Sequence, residues 1–377
     1  MSSILYIDIK KERVFGLDIL RCLAILFVVV GHGNLLLPKK ISYVINYFIL
    51  DGVSIFFVLS GFLIGGILIK EIEKNDITFK LLLNFWQRRW FRTLPNYYLI
   101  LITLYFLKTM FDDNFDGIRS ISRYFVFSQN LFTPHSDFFL EAWSLCVEEW
   151  FYLLTPLIIL LISKTLKLSK KNTLITTVSI IILAVTIFRL ERYFTTSINS
   201  LGDWADTFRH QVFTRLDSLM YGVFGAYLAY YNKSLWLKYK KFLFAIGALL
   251  LISQNFVLFS NFNTIYTCVF SFSINAIATL LLIPYLSEIK KTTNVYLHKF
   301  VTYISLISYS MYLLNLSIVK IWILDNIQIV NINADFVVII KYFLYWFLTI
   351  TLSILIYKYF EIPTTKLRDN KFLFKKK

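Results

Sequence analysis

The sequence predicts an all-α integral membrane protein of about ten transmembrane helices in one bundle, with both termini cytoplasmic. Three observations carry that prediction. Of 377 residues, 57% are hydrophobic and only 16% charged, whereas a soluble domain runs about 45–50% apolar and about 25% charged. The apolar residues gather into blocks long enough to cross a bilayer, separated by short polar breaks. The basic residues fall in alternate breaks, as the positive-inside rule requires. Disorder is excluded by the mean hydropathy of +0.63. The net charge of +16 does not indicate nucleic acid, because the cations lie in small clusters between apolar blocks rather than over one soluble face.

Taken in order, the predicted spans are Val14–Leu37, Tyr43–Ile69, Pro95–Met110, Phe138–Ile162, Thr173–Phe194, Phe213–Tyr231, Phe242–Phe259, Thr264–Leu286, Phe300–Ile323 and Phe336–Phe360. The third is short and could begin earlier, within the aromatic and basic stretch before Pro95. The first runs past the length of a signal-peptide core and carries no small-residue cleavage site, so it reads as a retained span. With the N-terminus inside, 26 of the 39 Lys and Arg residues fall on inner segments and 8 on outer ones. A missed span would invert every later loop and destroy that bias. Acids collect outside, at Asp112, Asp113, Asp116, Glu191, Asp203 and Asp206. Neither an internal repeat nor a soluble insertion interrupts the pattern, so residues 1–377 read as one membrane domain. Cys22, Cys146 and Cys268 sit in or beside apolar runs without metal-ligand spacing and read as small apolar filler; no metal is expected.

Ionisable residues inside spans cost about 2.5–3.5 kcal/mol each on insertion scales and mark functional positions by default. Arg21 and His32 share the first span. Eleven residues apart, they point within about 20° of each other and are offset by about 16 Å along the axis. A fixed cation at the inner end and a titratable imidazole in the outer half could hold an anion below and move a proton above. An arginine snorkelling to the surface and a histidine at a helix end would give the same pattern.

The segment Trp143-Ser144-Leu145-Cys146-Val147-Glu148-Glu149-Trp150-Phe151-Tyr152 places two carboxylates in the fourth span. Helical phase groups Glu148 with Ser144, Tyr152 and Thr155 as a polar stripe and sends Glu149 elsewhere, so Glu148 is the expected interior acid. Read as a partner of His32 at similar depth, it would fix the tautomer; read structurally, it is an interhelical tie. Asp51, Arg215, Asp217 and Asn315 are further polar groups in outer halves, and Arg215 with Asp217 could be a helix-end charge pair. On the inner side, Phe85-Trp86-Gln87-Arg88-Arg89-Trp90-Phe91-Arg92-Thr93-Leu94-Pro95 interleaves arginines with aromatics. That suits phosphate binding with stacking, or a juxtamembrane belt on anionic lipid. Neither Gly-rich nucleotide signature is present.

Together these residues resemble the acyltransferase family 3 membrane proteins, which O-acetylate surface polysaccharides and similar acceptors. The resemblance runs along the chain: Arg21 and His32 after Gly16-Leu17-Asp18; Phe56-Phe57-Val58-Leu59-Ser60-Gly61-Phe62; the Arg88-to-Pro95 segment; residues 143–152; Arg215-Leu216-Asp217 with Gly222; Ser308-Tyr309-Ser310-Met311-Tyr312-Leu313; and Tyr359-Phe360-Glu361-Ile362-Pro363. One departure stands out. The family often has a histidine in the ninth span where Asn315 stands here. Asn315 can orient a partner but cannot titrate, which leaves the proton chemistry to His32. The chain also ends at the tenth span, without the extracytoplasmic esterase-like domain of some members.

The resemblance implies a multi-pass protein of the bacterial cytoplasmic membrane that moves an acyl group from acyl-CoA, acetyl-CoA in the simplest case, to a hydroxyl of a glycan or glycolipid. Arg21, Arg88, Arg89 and Arg92 would hold the coenzyme, His32 would act as base or acyl carrier, and Glu148 would orient it. Tyr152, Asp51, Arg215, Asp217 and Asn315 would support the site. Membrane lipid is an expected partner and nucleic acid is not. A transporter or flippase of a small anion or lipid-linked sugar would use similar residues, but inverted repeats and paired broken helices are lacking.

Overall fold

A computed structural model describes residues 13–135, 137–329 and 332–368. The helices, in chain order, are α1 Phe15–Gly33, α2 Lys39–Asn46, α3 Gly52–Lys74, α4 Phe79–Phe111, α5 Ile118–Phe125, α6 Ala142–Thr165, α7 Lys170–Thr195, α8 Leu201–Trp204, α9 Leu216–Tyr231, α10 Lys233–Lys238, α11 Lys240–Ser260, α12 Ser271–Leu286, α13 Val295–Leu314, α14 Ala334–Ile356 and α15 Ile362–Leu367. Among the described residues no strand forms. Four π-helical segments interrupt or extend them: Ala205–Arg209, Tyr266–Phe270, Asn315–Leu324 and Tyr357–Glu361. Among the described residues, seven helices are long and apolar enough to cross a membrane: Phe15–Leu36, Gly52–Lys74, Ala142–Thr165, Lys170–Thr195, Tyr266–Leu286, Val295–Leu324 and Ala334–Leu367. The chain is a multi-pass membrane protein.

The other three predicted blocks are helices of different character. The third grows into α4, 33 residues long, which takes in the aromatic and arginine stretch and runs through Pro95. Thr78 caps its start by accepting from Leu81 N at 3.4 Å. The sixth becomes α9, only 16 residues, shorter than the roughly 20 a perpendicular crossing needs. The seventh is α11. The second block is divided rather than continuous. Its first part turns into the amphipathic α2, and Asp51 then restarts the chain as the cap of α3, accepting from Ser54 N at 3.3 Å and Ser54 Oγ at 2.7 Å. Apolar content alone did not reveal that break, because the residues between α2 and Asp51 are apolar too. Of the terminal basic residues behind the orientation argument, Lys10, Lys11, Lys371, Lys375, Lys376 and Lys377 lie outside the described residues.

Close helix contact brings the polar spans together. α3 and α9 meet backbone to backbone: a Cβ on Gly61 would stand 2.0 Å from Leu219 O, and one on Gly222 would stand 2.1 Å from Val58 O. Only glycine fits at these points, and small residues are what let membrane helices approach this far. The three cysteines are buried and free.

Candidate functional site

Two cavities lie one above the other in the bundle. The inner one, about 100 Å³, is lined by Arg21 of α1, Ser60 of α3, Arg89, Arg92 and Thr93 of α4, Glu148 and Tyr152 of α6, and Ser308 and Tyr309 of α13, with Phe56, Phe57, Leu63, Ile64 and Leu145 as its apolar wall. The outer one, about 470 Å³, is lined by His32, Asp51, His135, Glu141, Trp143, Asp206, Arg209 and His210 among others. Val53 and Tyr312 line both.

In the inner cavity, Arg21 of α1 meets Arg89 and Arg92, which share one face of α4 at i, i+3. Arg89 is 8% exposed, lies over the Phe85 ring at 5.9 Å, and its Nε has no hydrogen-bond partner among the described residues. Arg88 turns away, to Glu71 Oε1 at 3.4 Å on the exposed rim. At i−1 from Arg89 it projects about 100° around the helix, so it does not line this cavity, though with Arg89, Glu71 and Lys80 it lines a separate pocket of about 380 Å³. Glu148 accepts from Ser60 Oγ at 3.1 Å and from Tyr152 OH at 3.0 Å. Glu149 is buried on another side of α6 and accepts from Thr93 Oγ1 at 2.7 Å. The two acids thus take different partners, Tyr152 joining Glu148, but both lie within the bundle, and Glu149 is the more deeply buried of the two.

The expected pairing of Glu148 with His32 is not made. His32 sits in the last turn of α1, and its Nδ1 lies 2.5 Å from Asn315 Oδ1. Glu148 lies more than a turn inward from the start of α6 and lines the other cavity. The sequence assigns both residues to outer halves, but a half-span is about 15 Å deep, too coarse a measure to bring two side chains into contact. The orienting partner is Asn315, at the point where α13 passes into its π segment. Its Nδ2 donates to Met311 O at 2.9 Å and Tyr312 O at 2.8 Å. Both amide protons are then committed, so Oδ1 is an acceptor, and it also receives Tyr345 OH at 3.2 Å. His32 must accordingly carry its proton on Nδ1 in the neutral ring, which leaves the Nε2 lone pair as the free base.

Further residues of the outer cavity escaped the sequence reading. Glu141, just before α6, accepts from Leu316 N at 3.0 Å and Ser317 N at 2.8 Å, and from Ser317 Oγ. It thus holds the backbone next to Asn315. His135 Nε2 donates to Phe139 O at 3.0 Å, and the His135 ring lies 6.4 Å from that of His210. The His210 ring packs 4.9 Å from Trp143, with Nδ1 3.4 Å from Asp206 Oδ1. Burial, reinforced by neighbouring Arg209, pushes His210 down to about 3, and burial also lowers His135. With only 4 histidines in the chain, two in outer segments were a signal that could have been weighed.

Asp51 pairs with Arg209 at 3.3 Å. Arg215 and Asp217 do not pair with each other. Asp217 takes Arg189 of α7 at 2.6 Å and Ser273 Oγ at 2.9 Å, with both charged side chains fully buried. Arg215 donates to Ser54 Oγ at 2.6 Å and lies over the Phe272 ring at 4.3 Å. Arg189 is thus a bundle-interior cation. Two residues apart on α9's first turn, Arg215 and Asp217 point to different neighbours.

The chain matches the family model described as an acyltransferase domain over residues 14–358. It is 32% identical over 171 residues to the peptidoglycan O-acetyltransferase OatA of Listeria monocytogenes, covering 42% of this chain and 26% of that protein. To the O-acetyltransferase OatA of Staphylococcus aureus it is 35% identical over 160 residues, 38% of this chain and 24% of the other. A further Staphylococcus aureus protein, named as a candidate O-acetyltransferase, is 29% identical over 95% of this chain and 58% of its own length. The chain thus aligns with about a quarter of either OatA protein and little more than half of the third. No solved structure matches the chain.

Proposed function

Because the chain belongs to the acyltransferase family whose model it matches over residues 14–358, we propose that it is a membrane O-acetyltransferase that takes an acetyl group from acetyl-CoA and delivers it to a glycan hydroxyl on the outer side. The observation that carries this reading is the stacking of an arginine-lined inner cavity beneath a histidine-lined outer one. Coenzyme phosphates suit Arg21, Arg89 and Arg92, with charge-assisted bonds to guanidinium groups that are always cationic. Glu148 serves this donor side, balancing the three cations and accepting from the amides of the pantetheine arm. The outer cavity suits a sugar: Trp143 offers a flat apolar face, and Asp51, Asp206 and Glu141 offer acceptors for hydroxyls.

The chemistry follows from His32. Its Nε2 takes the proton of the acceptor hydroxyl as the oxygen attacks the thioester carbonyl. The new C–O bond forms, the C–S bond breaks, and the imidazolium returns the proton to the leaving thiolate. Asn315 holds the ring in the tautomer this needs. We further read α4, α9 and α11 as crossings in addition to the seven apolar helices, giving about ten, with both termini on the cytoplasmic side where the basic segments lie. The acceptor class is drawn from the OatA relatives, one of which is named for peptidoglycan.

The test is transfer of labelled acetyl from acetyl-CoA to glycan in membranes holding the wild-type chain or His32→Ala. Label on the glycan with the former and none above background with the latter supports the reading. Full transfer by an inserted His32→Ala protein removes it. A transporter would move solute without releasing free thiol from the donor.

A further inference from the structure

Two residues, Tyr312 and Val53, line both cavities and so stand where the two meet, and neither carries a role in the reaction as described so far. Tyr312, in the last turn of α13, is 7% exposed and lines the cavity on either side. Its hydroxyl lies 2.6 Å from Ser144 Oγ and donates to Glu141 O at 3.1 Å. The ring is thereby tied across to the outer end of α6. Val53, on α3, is the other residue common to both cavities. The way from a donor seated among Arg21, Arg89 and Arg92 to His32 Nε2 runs past the two residues that both cavities share.

The same turn of α13 is coupled to the base. Asn315 Nδ2 donates to Tyr312 O at 2.8 Å while Asn315 Oδ1 holds His32. A bulky group that displaced Tyr312 would disturb the tautomer clamp three residues on, so the opening cannot widen without loss at the reacting centre. The space behind it is small, about 100 Å³, and walled by Phe56, Phe57, Leu63 and Ile64. Close-packed surroundings of this kind yield little to an added methylene.

We infer that the Tyr312–Val53 constriction is the acyl-length selector of this transferase, admitting a two-carbon acyl group and rejecting longer straight chains. The inference rests on the acetyl-transfer reading above and adds to it the residues that set the acyl group. One methylene too many in such a slot costs on the order of tenfold in kcat/KM.

The experiment measures kcat/KM with acetyl-, propionyl- and butyryl-CoA for purified wild-type protein, Val53→Ala and Tyr312→Phe, with a soluble glycan acceptor. Wild type should favour acetyl over butyryl by on the order of a hundredfold. Val53→Ala, which widens the slot by two methyl groups, should raise the butyryl-to-acetyl ratio about tenfold or more. Tyr312→Phe, which keeps the ring and removes its tie to Ser144 and Glu141, should raise it by a smaller factor. The two variants act on opposite walls, so the loss of one to misfolding leaves the other as the test. A wild type that uses butyryl-CoA as well as acetyl-CoA, or a ratio unmoved in an active Val53→Ala or Tyr312→Phe protein, overturns the inference and leaves acetyl transfer standing. A wild type that transfers from none of the three donors overturns the functional reading and this inference with it.

Discussion

The inner and outer cavities use charge in opposite ways. In the inner one, Arg21, Arg89 and Arg92 share the lining with one carboxylate, Glu148, with Asp18 and Glu361 acting on them from nearby, and Arg89 Nε has no hydrogen-bond partner among the described residues. In the outer one the base and two of the acids are tied, His32 to Asn315, Asp51 to Ser54 and Arg209, Glu141 to the backbone at Leu316 and Ser317, while His135 Nδ1 and Arg209 Nε have no hydrogen-bond partner among the described residues. An excess of cations in a partly apolar space is costly unless an anion arrives to share it. A base and acids bonded in this way hold their geometry before anything binds. The difference teaches that binding strength is stored on one side and positional accuracy on the other. Substitutions on the two sides should therefore separate into effects on KM and effects on kcat.

The largest effect is expected at His32. Removing a positioned general base lowers rate about 10²–10⁴-fold. His32→Ala should show that loss in kcat while binding of the acyl donor, followed by equilibrium dialysis with labelled acetyl-CoA, stays within about twofold. If donor binding falls with the rate, the two cavities are not distinct in function.

Arg89→Ala and Arg21→Ala should show the reverse. Each removes charge-assisted hydrogen bonds of about 1.5–3 kcal/mol, so donor KM should rise roughly 10–100-fold with kcat much less affected. Arg88→Ala should stay close to wild type, since Arg88 faces Glu71 on the exposed rim and exposed pairs contribute about 0–1 kcal/mol. Equal losses at all three arginines would favour a lipid-facing basic belt in place of a donor site.

A smaller effect is expected at Asn315. Asn315→Ala deletes one orienting bond to His32 and should lower kcat about tenfold, in line with a net hydrogen bond of about 1 kcal/mol plus the lost tautomer. Asn315→Asp retains an acceptor for Nδ1–H and should recover part of that loss, a recovery that a purely packing role would not give. No difference between the two variants would detach Asn315 from the chemistry.

These contrasts also mark what could be read from the chain alone. The spacing of Arg21 and His32, the phase of Glu148 against Glu149, and the shared face of Arg89 and Arg92 all follow from one helical period and needed no partner to interpret. The partners themselves did not follow. His32 meets Asn315 from 283 residues away, and Asp217 meets Arg189 rather than its near neighbour Arg215. Periodicity fixes the face a side chain presents, while depth and the identity of the opposing helix depend on packing, such as the glycine contact between α3 and α9. The division at Asp51 was hidden for a related reason. A capping carboxylate between two apolar runs reads as one charged residue in a long block until its bond to Ser54 N is seen.

The smallest effect concerns pH and again sets the outer side apart. His210 is driven down to about 3 by burial and by Arg209, against about 6.5 in an unfolded chain. Its folded form is then neutral at pH 7, and its contact with Asp206 at 3.4 Å is a hydrogen bond without a full ion pair. The other charged or titratable groups acting on it are His135, Arg215 and Asp51. For a base lowered by folding, the stabilising share is complete above the unfolded value and drains as pH falls. Below about pH 6.5 the unfolded chain takes up a proton that the folded one refuses, at up to about 1.4 kcal/mol per pH unit for one such group. Unfolding midpoints measured in detergent should therefore fall between pH 7 and pH 5, and His210→Asn should flatten that fall. Arg92→Ala, on the inner side, should leave the slope as in wild type. A slope unchanged by His210→Asn would mean that His210 does not resist protonation in the folded protein, and that the outer cavity is more open to water than its bonding implies.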